Sequence, residues 1–276
     1  IGTGGYICGA TISAAHSLGI PTLLHESNAF PGIAVKILSK KVDVVLVGFE
    51  DVVKRLPKAK KIVVTGTPTK LKKVYLTEEE KRKISKDLGF NDYEPKVLVF
   101  GGSQGAQSIN DSMIEIICEK KNKEYQIIWA AGPTQYDGIK ERLSNKGINI
   151  NNIPNVKIVP YIYNMQELMN YVDLVVSRSG AMTITEVALL NKPAIFIPFP
   201  YATENHQEYN ARVLENVCAA KIILDKNLTG SSLDQNIYSI ISNPELLKKM
   251  GQNTTKVSVK DVEEKIYEEI IKILKQ

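Results

Sequence analysis

Short apolar runs alternate along this chain with stretches of helical period. The runs are residues 20–24 (IPTLL), 42–47 (VDVVLV), 61–65 (KIVVT), 96–100 (KVLVF), 126–130 (QIIWA), 156–159 (VKIV), 174–177 (LVVS), 194–197 (AIFI) and 221–224 (KIIL). They are short, rich in β-branched residues and unbroken rather than alternating, which is how parallel strands covered on both faces look. Between them, residues 106–120 and 181–190 carry helical spacing. Strand–helix alternation of this kind predicts an α/β protein built on doubly wound sheets.

The runs fall into two groups, one ending before residue 66 and one starting after residue 95. Between the groups lies a highly charged segment, residues 77–88 (TEEEKRKISKDL), in which Thr77 and Glu80 have the spacing of a helix-starting capping box. The domain boundary is therefore expected at residues 68–73. Residues 71–260 read as a complete Rossmann-like domain. Residues 1–70 are too few to bury a sheet of their own and read as the remainder of another domain. Near the end, Val262, Ile266, Ile270 and Leu274 recur every four residues opposite many Lys and Glu. A helix over residues 261–276 is expected to pack back on the first group.

Composition narrows the class. Hydrophobic residues make up 43% and charged residues 24%, which excludes a disordered or fibrous chain. The net charge of +5 is spread among matching acids, so nucleic-acid binding is not expected, whereas a nucleotide or a membrane surface remains a candidate anionic partner. Cys8, Cys118 and Cys218 are far apart and form no CxxC pair, which supports neither a zinc site nor a disulfide framework and fits a reducing compartment. No apolar run reaches the roughly 18 residues of a membrane span. The chain opens on Ile1 rather than Met and is expected to be the later part of a longer protein.

Candidate chemistry sits where strands end. After residues 96–100 comes GGSQGAQSIN, a glycine-rich turn opening a helix. Its glycines let backbone approach a ligand, Ser103 adds a hydroxyl, and helical amides offer donors to an anion. It is neither GxGxxG nor a P-loop. After residues 174–177 comes RSGAMTITE. Thr183 and Glu186 there read either as a capping box or as a carboxylate set back from a helix tip, where it can accept both hydroxyls of a ribose. After residues 194–197 comes PFPYATENHQEYNA, in which His206, Gln207 and Asn210 suit sugar hydroxyls and phosphate. Open α/β sheets bind ligands at the carboxyl ends of their strands, so the convergence of these loops marks a site. In HESNAFPG, His25 and Glu26 are acid–base candidates or hold their own loop. Lys70, in TGTPTK, is either a cation facing a diphosphate or a surface lysine of a linker.

Together these segments resemble the MurG family. Residues 4–9 (GGYICG) match its GGYxSG segment, and residues 25–32 match HEQNxxPG with Ser27 in place of Gln. Residues 101–110 match GGSQGAxxxN, 177–186 match SRxGAxTxxE, and 203–211 match TENHQxxNA. The family's GNPVR is Gly66-Thr67-Pro68-Thr69-Lys70 here, so Lys70 keeps a charge but loses the bidentate guanidinium. Nothing in the chain matches the GGTGGHxxPxxA loop that opens the family and carries its favoured base candidate, so no catalytic residue is assigned.

The resemblance implies a GT-B architecture of two Rossmann-like domains, the N-terminal one incomplete. It implies inverting transfer of GlcNAc from UDP-GlcNAc to the C4 hydroxyl of the muramoyl sugar of lipid I (undecaprenyl-pyrophosphoryl-muramoyl-pentapeptide), forming lipid II in peptidoglycan synthesis. UDP-GlcNAc is a substrate, and no cofactor or metal is implied, there being no DxD motif. On the donor side it implies Ser103, Gln104, Lys70 and the amides at Ser179, Gly180, Ala181, Met182 and Thr183 for phosphate. Ile184, Thr185 and Glu186 complete that segment, with Glu186 on the ribose. The Ile162 backbone faces uracil, and His206, Gln207 and Asn210 face GlcNAc. On the acceptor side it implies Gly4, Gly5, Tyr6, Glu26 and Asn28. Peripheral attachment to the cytoplasmic face of the bacterial membrane follows, with Lys36, Lys40 and Lys41 beside Ile37 and Leu38 as a basic rim. The competing readings are a donor-binding chain without catalysis, and a GT-B transferase for another nucleotide sugar or lipid acceptor.

Overall fold

Each of the apolar runs becomes a strand of one of two parallel sheets. The computed structural model describes residues 1–119, 122, 124–153 and 155–275. The first sheet contains β1 (Leu23–Glu26), β2 (Val44–Val47) and β3 (Ile62–Val64), in that spatial order. The second contains β4 (Lys96–Phe100), β5 (Gln126–Ala130), β6 (Val156–Val159), β7 (Leu174–Ser177), β8 (Ala194–Phe196) and β9 (Ala220–Ile222). Its order is β6-β5-β4-β7-β8-β9, so the winding direction reverses between β4 and β7. That reversal opens a crevice at the carboxyl ends of the two strands.

β1 lies later than its apolar run. His25 and Glu26 are polar, yet they pair with Leu46 and Val47 of β2, and Gly2 bonds the other edge at Leu23 and His25. Backbone pairing on both edges, rather than side-chain polarity, sets the strand's end.

The helices are α1 (Tyr6–Ser17), α2 (Ile33–Leu38), α3 (Glu78–Leu88), α4 (Gln107–Cys118), α5 (Tyr136–Ser144), α6 (Met165–Tyr171), α7 (Ala181–Leu189), α8 (His206–Glu215), α9 (Gly230–Ile241), α10 (Pro244–Asn253) and α11 (Val262–Leu274). Lys120 and Gln276, the ends of two expected helices, lie outside the described residues. Thr77 caps α3 with the reciprocal Glu80 bond. Successive strand residues point to opposite faces of the large sheet. Val97, Val99, Ile127 and Trp129 meet α4, α5 and α9, while Leu98, Phe100 and Ile128 meet α3, α6, α7 and α8. Both faces are therefore dry, and the functional groups are left to the strand ends.

The small sheet is covered by α1 and α2 on one face and by α11 on the other, where Ile266, Ile270 and Ile273 meet Leu23, Val44 and Leu46. The buried stripe of α11 differs from the four-residue one. Leu274 is exposed, and Glu269 and Ile273 turn inward. Steps of four advance about 40° beyond a full turn, so a stripe at that spacing drifts off the face within three steps. Glu269 is tolerated because Lys61 and Lys272 both donate to it. The two sheets share core. Ala29 and Phe49 of the first lobe pack into the cluster beneath β4 and β7. No helix among the described residues is long and apolar enough to cross a membrane.

Candidate active site

A cavity of about 560 Å³ opens at the β4/β7 crevice. The turn after β4, the turn after β7 and the β8–α8 loop form it, with Gly102, Gln107, Arg178, Gly180, Thr183, Tyr201 and Gln207 among its walls. The β4 turn must be glycine-rich to fold so tightly. A Cβ on Gly101 would lie 2.2 Å from the Ala106 nitrogen, and one on Gly105 (φ 80°) would lie 2.4 Å from the Ala131 oxygen. Neither α4 nor α7 has a side-chain cap at its N-terminus. Their first amides are left without side-chain acceptors, with the positive ends of both helices at the crevice.

Several expected residues stand differently from their reading. Ser103 is not at a helix tip. α4 starts at Gln107, and Ser103 and Gln104 are exposed in the preceding turn. Thr183 and Glu186 form no capping box, because α7 starts earlier, at Ala181 after Gly180. They lie inside the helix, three apart on one face, with Thr183 on the cavity and Glu186 one turn deeper. The Glu186 carboxylate accepts a hydrogen bond from Thr69 at 3.1 Å. Burial pushes its pKa up, and the Thr69 bond partly offsets this. Met182 is exposed, Ile184 is fully buried, and the Thr185 hydroxyl donates to the Ala181 carbonyl. These three offer backbone or scaffold rather than ligand side chains.

Ser179 is wholly buried; its hydroxyl donates to the Gln207 carbonyl at 2.8 Å and its amide to Gln207 Oε1. Asn210 is also wholly buried and spent. Its Oδ1 accepts from the Ala29 amide at 2.7 Å, and its Nδ2 donates to Asn28 Oδ1 and to the Ser179 carbonyl, both at 3.1 Å. It ties the lobes. Gln207 Oε1 accepts from the amides of Ser179 and Phe199 at 3.2 and 3.0 Å, and its Nε2 has no partner among the described residues. His206 Nδ1 lies 2.9 Å from the Thr203 carbonyl; a proton assigned there leaves Nε2 as an acceptor. Glu204 and Asn205 precede α8 with φ of 53° and 54°. Consecutive left-handed residues are unfavourable, and they are held here by Glu204–Lys36 and Asn205–Glu208 bonds, each 2.7 Å. The Ile162 side chain is buried, with exposed Tyr161 and Tyr163 on either side.

Arg178 lies in the RSGAMTITE segment, where the sequence alone assigns it no role. Its guanidinium donates to the Ile197 and Pro198 carbonyls at 3.0 and 3.2 Å and to Ser108 Oγ at 2.9 Å, and it pairs with Asp225 at 3.3 Å. One side chain thus binds α4, the β7 turn and the β8 loop together. A lone Arg beside a serine-rich turn signals none of this, because its partners lie up to 70 residues away.

On the other lobe, Glu26 accepts from the Asn28 amide and side chain at 2.9 and 3.1 Å and from the Gly32 amide at 2.8 Å. His25 Nε2 meets the Gly66 carbonyl at 2.9 Å. Both side chains hold their own surroundings through these bonds. A separate cavity of about 630 Å³ gathers Gly4, Gly5, Tyr6, Glu26, Asn28, Ile33 and Ile37. Lys70 is exposed in the linker and lines neither cavity. The lobes are clasped between the cavities. Phe30 stacks on Tyr209 at 4.6 Å, Arg55 lies within 4.8 Å of both rings, and Lys36 sits 4.1 Å over Phe30. Lys36 is therefore no free membrane lysine, and Leu38 is buried. Among the described residues, no cluster of three His, Cys, Asp or Glu is placed to hold a metal.

Residues 96–266 match the glycosyltransferase family 28 C-terminal domain, and residues 1–47 match the family's N-terminal domain. A UDP-N-acetylglucosamine--N-acetylmuramyl-(pentapeptide) pyrophosphoryl-undecaprenol N-acetylglucosamine transferase of Thermoanaerobacter sp. (strain X514) is 43% identical over 97% of this chain and 72% of its own length. The chain belongs to glycosyltransferase family 28, in its MurG branch. A MurG-type transferase of Bacillus cereus (strain ATCC 14579) is 41% identical over the whole chain and 74% of its own length. The crystal structure of Acinetobacter baumannii MurG superimposes with a TM-score of 0.77 at 28% identity, covering 98% of this chain and 73% of that one. The architecture is GT-B.

Proposed function

We propose that the chain transfers GlcNAc from UDP-GlcNAc to the C4 hydroxyl of the muramoyl sugar of lipid I, with inversion, giving lipid II and UDP. One observation carries this reading. The loops after β4, β7 and β8 meet at one cavity with two uncapped helix N-termini, in a chain 43% identical to a transferase of that name. The acceptor hydroxyl adds to the anomeric carbon, the bond to the UDP oxygen breaks, and the hydroxyl proton passes to a general base. The departing diphosphate gains negative charge, which the amide tips of α4 and α7 are oriented to receive. Lys70 is the linker's candidate cation for it. Glu186 accepts the ribose hydroxyls, the Ile162 backbone faces uracil, and the free nitrogens of Gln207 and His206 read the sugar. The acceptor enters by the Tyr6 and Asn28 cavity. Its lipid tail calls for attachment at the cytoplasmic face, where Ile33, Ile37, Tyr6 and Ile7 are exposed beside Lys40 and Lys41.

The test is UDP release and product formation with UDP-GlcNAc and a lipid I analogue, against a panel of other UDP-sugars. Preference for UDP-GlcNAc, lost in Glu186→Ala, is expected. Equal use of UDP-glucose, or normal turnover by that variant, would overturn the reading. Co-sedimentation with anionic vesicles should weaken when Lys40 and Lys41 become Glu, and indifference to that change would remove the membrane face from the account.

A further inference from the structure

The linker between the lobes touches, at one atom, the carboxylate assigned above to the ribose. The Thr69 hydroxyl donates to Glu186 Oε1 at 3.1 Å and accepts the Leu71 amide at 3.2 Å. With the amide on a lone pair, the hydroxyl's single proton is directed at the carboxylate. Thr69 is itself held in place. Leu71 packs against the large core, the Lys72 amide bonds Gln166 at 2.8 Å, and the Val74 amide bonds Asn170 at 2.9 Å, both on α6. Glu186, by contrast, has no other side-chain hydrogen bond among the described residues. α7 fixes its Cα only. Among the described residues no second polar partner fixes its side-chain torsions.

We infer that Thr69 is a positioning residue for donor recognition: its hydroxyl aims the Glu186 carboxylate so that a vicinal diol can dock on it. This rests on the assignment of Glu186 to the ribose. An ionised carboxylate has about four acceptor sites, and Thr69 occupies one, which leaves enough for the two ribose hydroxyls. The linker then has a second task besides joining the lobes, because its rigidity is transmitted to the ribose through one hydroxyl.

Calorimetry with UDP-GlcNAc and with its 2′,3′-dideoxyuridine analogue separates the possibilities. Thr69→Val is expected to weaken UDP-GlcNAc about tenfold, the size of one lost hydrogen bond to a charged group. Thr69→Ala should reproduce that loss, and Thr69→Ser should restore binding. The dideoxy analogue should bind wild type and Thr69→Val alike, and Thr69→Val should add nothing in a Glu186→Gln background. Equal weakening of both donors, or the same loss in the Glu186→Gln background, would show a general structural role and overturn the inference. So would unchanged UDP-GlcNAc affinity in Thr69→Val while Glu186→Gln binds poorly. If Glu186→Gln itself binds UDP-GlcNAc as wild type does, the ribose assignment falls instead.

Discussion

Replacing Asn210 with alanine removes three hydrogen bonds from a fully buried position that joins the two lobes. The Ala29 amide, itself buried, loses its acceptor, and the Ser179 carbonyl and Asn28 Oδ1 lose a shared donor. A stranded buried amide costs about 1–3 kcal/mol, and each lost bond about 1 kcal/mol, so the sum is about 3 kcal/mol. In a chain of this length that lowers the melting temperature by about 5 °C. Asn210→Asp keeps the shape and the acceptor for Ala29, yet it should be worse above neutral pH, because a carboxylate then faces two acceptor oxygens. Burial raises the folded pKa of such an aspartate above its unfolded value, so the folded state binds more protons between the two. Stability therefore falls as pH rises through that window. Calorimetric melts should show Asn210→Asp recovering between pH 8 and pH 5 while Asn210→Ala does not. An Asn210→Asp protein as stable as wild type at pH 8, or an alanine variant with no measurable loss, would refute the connector argument.

Glu186→Gln should melt higher than wild type at pH 7 while binding donor more weakly. Burial raises the folded pKa, so wild-type stability declines as pH rises from the ordinary value near 4.5, and the variant's advantage should vanish below that value. Lys192 donates to the Asn170 and Val172 carbonyls from a half-buried site, and desolvation lowers its pKa from 10.5 to about 8. The unfolded chain binds the extra proton between those values, so wild-type stability relative to Lys192→Met should rise from pH 8 to 10.5, as melts across that range would reveal. Tyr209→Ala removes a ring stack and a cation–π contact, together about 2 kcal/mol, and should speed amide exchange in β1, β2 and β3 without touching β4 or β5. Gly105→Ala meets both a positive φ and the Ala131 oxygen, and should abolish UDP-GlcNAc heat in calorimetry even where the chain still folds.

The central strands β4, β5 and β7 of the large sheet were legible because both faces are buried, whereas the edge strand β6 keeps an exposed Lys157 within its apolar run. Residues 96–100, 126–130, 156–159 and 174–177 are continuous apolar or amphipathic runs, and their limits coincide with β4, β5, β6 and β7. Boundaries set by backbone pairing were not. His25 and Glu26 look like loop residues until their partners on β2 are known. The start of α7 at Ala181, after Gly180, rules out the capping box of Thr183 and Glu186, since two motifs compete there and only backbone geometry decides. The loops of the site were legible as groups of polar residues after strands. Which side chains face outward was not, because the partners of Asn210 and Thr69 lie 181 and 117 residues away. The same distance hid Phe30–Tyr209 and the work of Arg178.

The turn that begins α8 has a consequence for timing. Glu204, Tyr209 and Asn210 fasten one lobe to the other, while Gln207 of the same turn pins the amides of Ser179 and Phe199 at the donor cavity. The lobes cannot part without pulling on those amides, so, on the proposed function, opening of the cleft is expected to be coupled to escape of a spent nucleotide. Salt weakens the half-exposed Lys36–Glu204 pair but leaves the ring stack intact. The dwell time of that nucleotide should therefore shorten only slightly with ionic strength.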